Sequence, residues 1–93
     1  MKSVIIFGRN INIIKVKGLL KEQNIFGYYD PEKFSIYIDK ELSKKDYQST
    51  LIHEMGHALF HRAGLGQSKL GRDLEEIIVE QYSHMISENF KHI

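Results

Sequence analysis

Residues 53 to 57 read His-Glu-Met-Gly-His, and this spacing constrains the chain more than any other feature. Residues four apart on an α-helix lie one above the other on the same face. In a helix, His53 and His57 therefore aim both imidazoles at one point, as a shared metal ion requires. Glu54, beside the first histidine, can reach a water in an open position of that metal. The expected chemistry is that of a hydrolytic zinc site. Two imidazoles hold the ion, the ion acidifies the water, and the carboxylate takes its proton.

The flanking residues support a helix over 44–61. Ser43 suits the N-cap, Asp46 adds an acid to the first turn, and Leu51, Ile52, Met55, Ala58 and Leu59 recur at helical spacing. Gly56 costs up to about 1 kcal/mol relative to Ala inside a helix, so its presence anticipates close approach of another element.

A catalytic zinc site takes three protein ligands and a water. His61 continues the histidine face, but eight residues of helical rise place it ~12 Å from His53 along the axis, too far for one ion. It is expected at the rim or in the framework. The acidic candidates are Glu75, Glu76 and Glu80, on a second helix capped by Asp73 and running to about Asn89. Glu76 is placed first as ligand, with Glu75 and Glu80 open as replacements. Glu80, one turn on, is expected to accept the free ring N–H of a metal-bound histidine, His53, and so to fix its tautomer. Leu74, Ile77, Ile78, Tyr82, Met85, Ile86 and Phe90 form this helix's apolar stripe and should pack on the first helix. Gly64, Gly66 and Gly71 suggest a connector between the two helices, with Arg62, Lys69 and Arg72 solvated. Tyr82, His84, His61, Tyr28, Tyr29 and Tyr37 are candidate oxyanion donors, and none is assigned.

Upstream, Val4 to Phe7 and Ile11 to Val16 read as strands about a Gly8-Arg9-Asn10 turn. Residues 17–23 suit a short helix or a loop. Ile25 to Tyr29 and Phe34 to Asp39 read as a hairpin around the type I turn Asp30-Pro31-Glu32-Lys33. Its second strand leads into the histidine helix and could hold an extended peptide by strand addition. At 93 residues the chain makes one domain. The expected class is α+β: a small three- to four-stranded sheet packed against the zinc helix and a C-terminal glutamate-bearing helix.

Composition narrows the partners. There is no cysteine, which rules out disulfides and thiolate zinc sites and suits a reducing cytoplasm. A net charge of +1 gives no reason to expect nucleic acid or an anionic membrane. No run approaches the ~20 apolar residues of a membrane span, and the apolar N-terminal run is too short for a signal peptide. A soluble cytoplasmic protein acting on a protein or peptide is expected, with its oligomeric state open.

The pentapeptide, followed 19 residues after His57 by Glu76-x-x-x-Glu80, looks like the gluzincin pattern. More closely, His53-Glu-Met-Gly-His-Ala-Leu-Phe-His61 with Glu75-Glu-Ile-Ile-Val-Glu-Gln-Tyr-Ser83 resembles the ImmA/IrrE metallo-endopeptidase family. The resemblance spans about residues 49 to 87. It implies a minimal zinc metallopeptidase, with His53, His57 and Glu76 as ligands and Glu54 as general base. Such proteins occur in bacteria, phages and mobile elements, and in several the target is a repressor. The alternative from another class is a non-catalytic, zinc-stabilised protein-interaction module, since a small core gains much from a metal.

Overall fold

Two consecutive residues with positive φ, Phe7 at 50° and Gly8 at 76°, turn the first strand back on the second. A left-handed pair of this kind matches the twist of a two-residue hairpin. Strands β1 (Ser3–Ile6) and β2 (Arg9–Val16) pair antiparallel, with Ile6 opposite Arg9. The turn is therefore Phe7-Gly8, earlier than the expected Gly8-Arg9-Asn10, and Arg9 and Asn10 join the ladder. The computed structural model describes residues 3–64 and 72–89.

The ambiguous stretch after β2 contains a short helix, α1 (Leu19–Gln23), set between left-handed residues at Gly18 and Asn24. Strands β3 (Gly27–Asp30) and β4 (Ser35–Asp39) form the expected Asp-Pro hairpin. Asp30 Oδ1 accepts the Glu32 N–H at 3.0 Å, the local bond that makes Asp a good turn opener. The four strands form one mixed sheet in the order β1-β2-β4-β3, with β2 and β4 parallel and the other pairs antiparallel. This corrects the expectation of strand addition along residues 34–39. Strand β4 is paired on both sides, and among the described residues the free edges belong to β1 and β3.

Alternation along β2 and β4 puts Ile11, Ile13, Ile36 and Ile38 on one face, where they pack with Leu51 and Ala58. The opposite face carries Tyr37 stacked on Tyr28 at 4.8 Å between ring centroids. Asp39, buried at the end of β4, accepts the backbone N–H groups of Leu20 and Glu41, each at 2.8 Å. Those two bonds hold its carboxyl below the usual carboxylate range despite burial, and they tie α1 to the exit of β4.

Helix α2 (Lys44–Arg62) begins as expected, with Ser43 Oγ accepting the Asp46 N–H at 3.1 Å. Arg62 is not simply solvated. Its Nε and Nη2 donate to the carbonyls of Ile6 and Phe7 at 3.3 and 3.0 Å, fastening the helix end to the first hairpin. Helix α3 (Arg72–Asn89) includes Asp73 within its length, so Asp73 is not the cap. Gly66, Lys69, Gly71 and Phe90, with the side chains of Arg72 and Asp73, lie outside the described residues.

The α2–α3 contact confirms one expectation and overturns another. A Cβ built on Gly56 would lie 2.9 Å from Val79 Cγ1 and 3.3 Å from Tyr82 Cδ1, so the bare backbone there admits the second helix. Of the anticipated apolar stripe, Tyr82 lies at this contact, but much of the rest does not. Leu74, Ile77, Ile78 and Met85 are exposed, whereas Val79 is fully buried. Helix α3 is rotated so that Glu75, Val79 and Tyr82 meet α2. Apolar periodicity identifies a face without saying which neighbour covers it, and here polar pairing with the histidines accompanies the other rotation. Gly56→Val puts a branched side chain into this contact. It should cost about 1–3 kcal/mol and lower Tm accordingly, as read by thermal unfolding. An unchanged Tm would mean that the helices do not pack this closely.

Candidate metal centre

Helical spacing on α2 stacks His53 and His57, with ring centroids 5.0 Å apart and planes at 72°. The close approach at Gly56 brings Glu76 of α3 over both rings. Its Oε1 lies 2.9 Å from His57 Nε2 and its Oε2 lies 3.6 Å from His53 Nε2. One donor atom from each of His53, His57 and Glu76 falls within 4.8 Å of the others. That grouping is compatible with one metal ion held by all three residues.

The other ring nitrogens strengthen this fit. His57 Nδ1 lies 2.6 Å from Glu75 Oε2, and His53 Nδ1 lies 3.4 Å from Glu80 Oε2. An ionised carboxylate only accepts, so a neutral His57 carries its proton on Nδ1 and presents a bare Nε2 lone pair. That lone pair faces the acceptor oxygens of Glu76. Two acceptors in apposition suit a cation between them, either a metal ion or the proton of an imidazolium, and carboxylates on the far nitrogens are the usual support of metal-bound histidines.

The expected Glu80–His53 contact is therefore present, though long, and the other Glu80 oxygen lies 3.5 Å from His84 Nε2. Glu75 has a role that sequence reasoning missed. It stands outside the three-donor group and holds the His57 ring instead. Helical phase carried the signal: Glu75 is one turn before Val79, the residue set against Gly56, and so shares the face turned toward α2.

Glu54 is 8% exposed, and burial is the main cause raising its carboxyl above the ordinary range. The neighbouring His57 and His53 oppose that shift, Glu76 adds to it, and the Tyr29 backbone N–H stabilises the charged form. Strand β3 explains that last contact. Phe26 C=O accepts the Asp39 N–H at 2.8 Å, so the main-chain groups of Gly27 and Tyr29 alternate toward the open edge. The edge strand thus lies along Glu54.

His61 belongs to the framework, as its distance along the helix required. Its Nδ1 is 2.8 Å from the Tyr29 hydroxyl, and its ring packs on Phe34, over which Arg9 sits at 3.9 Å. Of the candidate oxyanion donors, Tyr29 is committed to His61, Tyr28 and Tyr37 stack on the sheet's far face, and Tyr82 packs against Gly56. His84 differs from these, since it lines a cleft shared with His53 and Glu54.

Among the described residues, no helix is long and apolar enough to cross a membrane. No curated protein and no solved structure matches the chain. The profile of the IrrE N-terminal-like domain, a peptidase family, matches residues 9–88. That span runs from the start of β2 almost to the end of α3 and takes in every residue that meets at His53 and His57. The chain belongs to the IrrE N-terminal-like peptidase family and is a metallopeptidase-like domain.

Proposed function

We propose that this chain is a zinc-dependent metallopeptidase of the His-Glu-x-x-His type, in which His53, His57 and Glu76 hold the ion and Glu54 is the general base. The observation that carries the reading is the paired orientation of the imidazoles. Both Nε2 atoms face Glu76, while both Nδ1 atoms face carboxylates of their own. Two nitrogens and a carboxylate oxygen suit Zn²⁺. When bound there, such an ion supplies a Lewis acid and brings the pKa of a coordinated water toward neutrality.

The chain's own groups do the rest. Glu54 accepts a proton from the attacking water and returns it to the leaving amine, a task suited to a carboxyl raised by burial. Glu75 and Glu80 orient His57 and His53. An extended peptide adds to the outer edge of β3, where the main-chain groups of Gly27 and the Tyr29 carbonyl face outward beside Glu54. That edge takes the place of β4 as the strand that receives the substrate.

The reading is tested with protein purified without added metal, reloaded with zinc, and offered a mixed peptide library analysed by mass spectrometry. Cleavage should appear with zinc, vanish with a chelator and return on reloading. Failure to cleave in the zinc-loaded state would favour a non-catalytic, metal-stabilised interaction module. The exposed Leu74, Ile77 and Ile78 on the outer face of α3 are the observation in favour of that alternative.

A further inference from the structure

A cleft of about 390 Å³ opens next to the three-donor group, between the approach to β3, the middle of α2 and the second half of α3. Its walls differ in chemistry. Ile25 and Phe26 supply apolar surface on one side, and the Phe26 residue is 42% exposed. Glu54 and Glu80 supply carboxylates on the other, and no Lys or Arg is among the described residues lining it. Ser83, in the same wall, has a hydroxyl oxygen shut off from solvent with no hydrogen-bond partner among the described residues. A buried hydroxyl left unpaired is a cost that native proteins seldom carry without a reason.

We propose that this cleft receives a lysine or arginine side chain of the peptide substrate, with Glu80 binding its charged head. The inference rests on the metallopeptidase reading and names the class of substrate that the same site selects. A long aliphatic stem can lie along Ile25 and Phe26 while its head reaches polar groups. The ring face of Phe26 also attracts a cation. The contacts of Glu80 with His53 and His84, at 3.4 and 3.5 Å, are long, so its oxygens keep lone pairs free for an ammonium or guanidinium. An acidic side chain would instead meet two carboxylates.

The test uses zinc-loaded protein and phosphinic tripeptides that differ at one residue, placed on either side of the phosphinate: lysine, norleucine or glutamate. Binding is measured by calorimetry and zinc content is checked for each variant. On one side of the phosphinate, lysine should bind about tenfold more tightly than norleucine, and glutamate more weakly than either. Glu80→Gln, which retains an acceptor for His53, should bring lysine and norleucine to equal affinity with zinc still bound. Phe26→Ala should weaken both. Equal binding of lysine and norleucine by the unaltered protein overturns the inference, as does a lysine preference that survives Glu80→Gln. Binding of none of the phosphinates by zinc-loaded protein would instead overturn the metallopeptidase reading itself, and the inference with it.

Discussion

Glu54→Gln is expected to hold one metal ion per chain and to hydrolyse peptides about 10²–10⁴-fold more slowly than the unaltered protein. Glu54 lies outside the three-donor group, so the metal has no need of its charge. The amide has the same shape, and its carbonyl can still accept the Tyr29 N–H, so the surroundings need not move. What it lacks is the capacity to take a proton. Metal content and turnover therefore separate the roles. Turnover at the original rate would remove Glu54 as the base, and loss of metal would make it a ligand. A second readout follows from burial. At 8% exposure the carboxylate is held where an uncharged group would fit better, so the metal-free Glu54→Gln protein should melt at a higher temperature than its parent. A lower Tm would mean that the charge supports the fold.

Glu76→Ala should abolish stoichiometric metal binding, because it removes the oxygens that face both Nε2 atoms. Thermal unfolding gives a sensitive measure. A ligand present at 100 times its Kd stabilises a protein by about 2.7 kcal/mol, so added zinc should raise the Tm of the unaltered chain and leave Glu76→Ala unmoved. Glu75→Gln offers the contrast. Its partner is His57 Nδ1 at 2.6 Å, on the far side of the ring, and loss of such an orienting carboxylate typically weakens metal affinity 10–100-fold without ending it. The order unaltered, then Glu75→Gln, then Glu76→Ala in metal affinity is the expected result. If Glu75→Gln lost the metal and Glu76→Ala kept it, the two carboxylates would exchange roles.

Which features were legible beforehand follows the range of the forces that set them. The cap at Ser43, the histidine face of α2 and the Asp-Pro hairpin rest on contacts between neighbours or within one turn of helix, and Gly56 was legible because its local cost in a helix implies the close approach that Val79 and Tyr82 make. Residue type and spacing specify them directly. The candidate ligand Glu76 was legible for a similar reason: once the first helix is placed, the third donor must come from an acidic turn of another element.

The sheet order and the rotation of α3 were not legible in this way. Nothing local to residues 34–39 indicates that β4 pairs in parallel with β2 and so leaves the outer position to β3. Nor does the alternation of Leu74, Ile77, Ile78 and Met85 reveal that these residues stay outside while Glu75 turns in to His57. The sequence by itself determined the helix and the shared face of His53 and His57, because i to i+4 geometry is a property of the backbone. Only the tertiary structure decided which edge lies along Glu54, which carboxylate holds which ring, and where the cleft opens. Each of these depends on non-local packing, in which several pairings satisfy the same local pattern and the lowest free energy of the whole selects one.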